Sequence, residues 1–125
     1  MSPRAQPRLR AICLALPEAT EQETWTVPTW RLRGRIFCMW NPMADGSPAM
    51  WCKAPPGVQQ MLVEAGPDRF FRPPYVGPKG WIGLRLAGRV DWAEVAALVR
   101  RSWRMTAGKR LAATLPEDDP AVSPR

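Results

Sequence analysis

The run from Val27 to Trp40, VPTWRLRGRIFCMW, constrains this chain more than any other segment. Apolar and cationic residues alternate around Gly34, which predicts two strands folded back at that glycine. Successive strand side chains point to opposite faces. A two-residue loop at Arg33-Gly34 or Gly34-Arg35 therefore sorts the hairpin. Trp30, Leu32, Phe37 and Met39 fall on one face; Arg31, Ile36, Cys38 and Trp40 fall on the other. A three-residue loop would break that sorting.

The flanking segments extend the pattern. Leu9, Ile12, Cys13 and Leu16 recur at the spacing of one helical stripe, and Pro17 ends it. TEQETW, Thr20 to Trp25, reads as a polar edge strand, and AMWCK, Ala49 to Lys53, as the strand after the hairpin. PPGVQQMLVEAGP carries a second stripe (Val58, Met61, Leu62, Ala65) closed by Gly66 and Pro67. WIGLRLAG reads as another strand. Asp91 then caps a last helix with the stripe Trp92, Val95, Ala96, Val99 and Trp103. The order is α-β-β-β-β-α-β-α. Consecutive strands on short loops predict an α+β fold, an antiparallel sheet with helices packed on one face. Residues 1–115 form one domain. The acidic, proline-rich end, 116–125, is expected to be disordered.

Extending the two faces across the sheet leaves Ile82, Leu84 and Leu86 opposite Trp81, Gly83 and Arg85, and Met50 and Cys52 opposite Ala49, Trp51 and Lys53. One face is uniformly apolar and takes the helices. The other collects Arg31, Lys53, Arg85, Trp40, Trp51 and Trp81, with Ile36 and Cys38 between them. Rings interleaved with cations fit nucleic acid, since rings stack on bases and arginines take phosphates. The alternatives are arginines lying over the tryptophans by cation–π contact, or a covering subunit or tail.

Charge points the same way. The net charge is +7, and of 18 cationic residues only Lys53, Lys79 and Lys109 are lysines. Arginine forks match phosphate oxygens, although codon usage in a GC-rich genome would also raise arginine. The chain has no histidine, hence neither the usual general base nor the commonest metal ligand. Cys13, Cys38 and Cys52 are an odd, widely spaced set without a CxxC, which argues against a disulfide framework or zinc site and for a reduced cytoplasm. GPKG and AGKR lack the spacing of a phosphate loop. No apolar run approaches a membrane span. Arg101 and Arg104, near the end of the last helix, suit its dipole.

The ordered segments LRAICLALPEATEQETW, PTWRLRGRIFCMW, the stretch from Pro74 to Lys79 with Trp81, and DWAEVAALVRRSWRM resemble the MmcQ/YjbR family of small bacterial proteins. The resemblance covers roughly Arg8 to Arg110. It implies a frataxin-like two-layer sandwich, also described as a double wing, and a DNA-binding role. Frataxin-like folds can imply iron through an acidic first helix. Here Arg4, Arg8 and Arg10 occupy that region and no acid precedes Glu18, which argues against a metal. Many relatives carry a histidine before the PT position, where this chain has Val27, so no role of that histidine transfers.

The expectation is a non-enzymatic nucleic-acid-binding protein of low sequence specificity, on DNA or RNA, with no metal or cofactor. Its candidate contacts are Arg31, Arg33, Arg35, Lys53, Arg72, Lys79, Trp81 and Arg85, with Trp51 as a further ring and Arg33 and Arg35 at a wing tip. The alternatives are a protein-interaction module or homodimer on the same aromatic face, and a small-ligand pocket beneath the Pro73–Lys79 loop.

Overall fold

The structure, a computed structural model, describes residues 4–115. The tail expected to be disordered, 116–125, lies outside the described residues. Helix α1 (Ala5–Leu14) leads into strands β1 (Ala19–Thr24), β2 (Val27–Leu32), β3 (Arg35–Trp40) and β4 (Ala49–Cys52). Helix α2 (Val58–Ala65), the short strand β5 (Phe70–Phe71), a 3-10 turn (Gly77–Lys79), strand β6 (Ile82–Arg85), and helices α3 (Trp92–Ala107) and α4 (Lys109–Ala112) follow. The strands form one antiparallel sheet in the order β1-β2-β3-β4-β6-β5. All four helices contribute to the core on one face of it, through residues such as Leu9, Leu62, Val99 and Leu111. The result is the two-layer α+β sandwich that the alternation of stripes and strands predicts. Two elements are additional. β5 has only two residues, too few for alternation to mark, and α4 restarts after Gly108.

Helix α3 begins where its cap predicts. Asp91 Oδ1 accepts from the backbone N–H groups of Ala93 and Glu94 at 3.1 and 3.2 Å. At the sheet edge, Glu21 turns toward the helices. It accepts from Arg10 Nε and Nη2 at 2.7 and 3.0 Å and from the Trp30 indole N–H at 2.9 Å. The Arg10 guanidinium holds the Glu21 carboxyl below its ordinary value.

The central hairpin turns through Arg33 (φ 53°) and Gly34 (φ 84°), both left-handed, as a two-residue type I′ turn requires. Arg31 accordingly pairs with Ile36 and Leu32 with Arg35. The next pair is Trp30 with Cys38, leaving Phe37 as the extra residue of a β-bulge. The bulge corrects the sorting of faces. Beyond it the parity of β3 inverts: Cys38 and Trp40 join Trp30 on the helix side, while Met39 crosses to the opposite face beside Trp51 and Trp81.

A bulge also strands backbone groups. The buried hydroxyl of Ser102, on α3, donates to the Phe37 carbonyl and accepts the Lys53 N–H at 2.9 Å. One side chain thereby ties α3 to both the bulge and the end of β4. Ser102→Ala leaves both groups without that partner. It is expected to lower stability by about 1–2 kcal/mol, read as a lower urea midpoint with an unchanged m-value.

Candidate functional site

The helix-free face of the sheet carries a cleft of ≈ 900 Å³. Its floor is apolar. Met39, Trp51 and Trp81 pack together there, joined by Ile36, Phe71 and Val76. Gly83 makes this layer possible: Phe71 lies so close over it that an added Cβ would sit 2.3 Å from the ring. Trp51 and Trp81 are each only 8% exposed. They are floor, and their faces are not free platforms of the kind expected of an open aromatic sheet.

The open rings stand at the rim. Trp25, in the turn between β1 and β2, is 85% exposed, and Tyr75, in the proline-rich connection, is 89% exposed. Both line the cleft. Both also have left-handed backbones, with φ of 51° at Trp25 and 66° at Tyr75. Bulky residues adopt that region at a cost of about 1–3 kcal/mol, and such strain concentrates at functional sites.

Four cations line the same cleft: Arg31, Arg35, Lys53 and Lys79. Among the described residues no carboxylate joins them. Arg31 is aimed by two threonines, with Nη2 donating to Thr24 Oγ1 at 2.8 Å and Nε to Thr29 Oγ1 at 3.3 Å. Thr29 is itself fixed, since its buried hydroxyl donates to the Gln22 carbonyl at 2.7 Å. Lys53 is half-buried, and burial, then the charges of Arg35 and Lys79, hold its ammonium below the ordinary lysine value. Cations from β3, the end of β4 and the 3-10 turn thus share the cleft. Gln59 of α2 secures the connection that brings Lys79 there. Its amide donates to the carbonyls of Gly77 and Trp81 at 2.8 and 2.6 Å.

The structure therefore brings Arg31, Arg35, Lys53, Lys79 and Trp81 together, and places the other three sequence candidates elsewhere. Arg33 makes a bidentate pair with Glu18 at 2.9 and 3.2 Å and lines a smaller pocket with Lys109 and Arg110. Arg85 lies over the Phe71 ring at 5.1 Å and reaches the carbonyls of Pro67 and Asp68. Arg72 packs along Gly77. Arg69, three residues earlier, pairs with Glu94 on α3. Trp25 and Tyr75 are the residues that sequence reasoning misses. Their signal is a large ring between two strands and another in a proline-rich loop.

The cysteines form a second convergence, inside the core. Cys38 and Cys52 pair across β3 and β4, and Cys38 also meets Cys13. Burial pushes the Cys38 and Cys52 thiols well above their ordinary range, which leaves them unreactive. All three thiols are free, and among the described residues no cluster of three or more His, Cys, Asp or Glu is placed to hold a metal. No helix of the described residues is long and apolar enough to cross a membrane.

A helix-backed antiparallel sheet with a cationic cleft on its bare face defines a small two-layer α+β domain. The chain belongs to the YjbR family, whose model matches residues 14–105. Among solved structures it is similar to the crystal structure of Deinococcus radiodurans protein DR2400, a DUF419 domain. The TM-score is 0.75 at 20% identity, covering 94% of this chain and 93% of that one. That likeness is one of fold. No curated protein matches the sequence.

Proposed function

We propose that the protein is a non-enzymatic nucleic-acid-binding protein of low sequence specificity that takes a single strand into this cleft. The observation that carries the proposal is the coincidence, in one concavity, of four cations, two exposed rings and no carboxylate among the described residues. Phosphates would meet Arg31, Arg35, Lys53 and Lys79, while bases stack on Trp25 and Tyr75. Stacking needs an unpaired base face, which a single strand offers and a duplex hides. A wing-tip grip on duplex DNA is less well supported, because Glu18 already occupies the Arg33 fork. The free, buried thiols are in keeping with a reducing cytoplasm.

Fluorescence titration with a single-stranded oligonucleotide and its duplex, at two salt concentrations, tests the proposal. We expect tighter binding of the single strand. About four neutralised phosphates give log K against log salt a slope of roughly −3. Trp25→Ala or Tyr75→Ala is expected to cost about 1–3 kcal/mol each. Absence of binding at low salt would overturn the proposal. The same rings would serve a protein partner, and a dimer in sedimentation that Trp25→Ala dissociates would favour that reading.

A further inference from the structure

We infer that the cleft recognises a nucleotide bearing a terminal phosphomonoester, either the phosphorylated end of a single strand or a free nucleoside monophosphate. The inference rests on the nucleic-acid reading and narrows it to an end or a monomer.

The first ground is how the cations are arranged. A protein that follows the interior of a strand spreads its cations along a groove that tracks the backbone. Here Arg35, Lys53 and Lys79 come from three separate elements and line one cleft, where the charges of Arg35 and Lys79 both act on the Lys53 ammonium. A phosphodiester within a strand brings one negative charge to such a site. A phosphomonoester brings about 1.5 to 2 charges at neutral pH and three strong acceptor oxygens. Three convergent donors match the second group.

The second ground is shape. The ≈ 900 Å³ cleft is bordered by the β1–β2 turn at Trp25, the hairpin turn at Gly34 and Arg35, and the Tyr75–Lys79 connection. That volume is on the scale of sites for small ligands, about 300–1,000 Å³. Rings at the rim and an apolar floor suit the base, and the cation cluster suits the phosphate. Arg31 is already held by Thr24 and Thr29, so its fork needs little further ordering on binding.

The test compares ligands that differ only at the terminus: one short oligonucleotide with a phosphate or a hydroxyl at its 5′ end, the same pair at its 3′ end, and a nucleoside monophosphate against its nucleoside. A terminal phosphate at one end, or on the monomer, is expected to tighten binding by about tenfold or more. Lys53→Gln should abolish that difference, whereas Trp25→Ala should weaken the phosphorylated and hydroxyl forms alike. Thermal melts of both variants check that they are folded. Preference for the strand end over the monomer identifies a polymer terminus as the ligand, and the reverse identifies a free nucleotide. Cleft-dependent binding that ignores the terminal phosphate at both ends would overturn this inference and leave single-strand binding standing. No binding of any strand or nucleotide would overturn both.

Discussion

Trp103→Ala is expected to remove about 3–5 kcal/mol of stability, the range for truncating a large buried aromatic. Trp103 is wholly buried, on the face of α3 that meets the sheet and α1. Its indole N–H also donates to the Pro17 carbonyl at 3.0 Å, which fixes the chain between α1 and β1. Alanine removes the ring, opens a cavity and leaves that carbonyl without its donor. Domains of this size have roughly 5–15 kcal/mol in total, so the variant should lie near the edge of folding at 37 °C. Trp103→Phe keeps most of the volume and loses the indole donor, and should fall between the two. Urea denaturation followed by linear extrapolation ranks the three proteins. Equal stability of Trp103→Ala and wild type would show that α3 is not clamped to the sheet as described.

Lys53→Glu is expected to separate stability from binding. In the free protein Lys53 is a liability: it is half-buried, and the charges that act on it, Arg35 and Lys79, are both cations. Its folded pKa lies below the unfolded value, so protonation opposes folding, and stability rises as pH climbs through the folded pKa toward the ordinary lysine value of 10.5. A glutamate there would pair with Arg35 and Lys79 in place of repelling them. The melting temperature should therefore hold or rise. Oligonucleotide affinity should fall by about 30- to 150-fold, the loss of one charge-assisted contact plus the repulsion that replaces it, roughly 2–3 kcal/mol. Tighter folding with weaker binding is the signature of a site maintained against stability. Equal loss of both would mark Lys53 as structural.

Much of the fold is written locally in the sequence. The helical stripes, the Asp91 cap and the Arg33-Gly34 turn each depend on a few neighbouring residues. The β-bulge does not. Ile36 to Trp40 is apolar throughout, so no polar residue marks where the alternation slips. Either phase buries something apolar, and only pairing with β2 and the Ser102 hydroxyl decide between them. Arg31 is assigned to the bare face correctly because its pairing with Ile36 lies on the turn side of the bulge, whereas Arg35, expected at the turn, lines the cleft as well. Lys53 is assigned correctly because β4 sets its own phase. Charge alone does not reveal a partner, which is why Arg33 and Arg85 look available in the sequence and are engaged in the structure. Trp25 is hidden for a different reason. Aromatic residues favour strands, yet this one sits with Thr26 in a left-handed turn that local preference disfavours.

The connectivity of the sheet bears on the order in which the chain assembles. Among themselves β1 to β4 pair in chain order, so that meander needs short loop closures. β4 meets β6 across the whole stretch from Cys52 to Ile82. Distant pairings carry more closure entropy and are slower to form. The β4–β6 seam, which brings Trp51 beside Trp81, is therefore expected to close after the meander. A chain halted before that step has its hairpin and arginines and no cleft. A ligand of the cleft would then act on refolding as well, holding the seam shut once it forms and slowing its reopening.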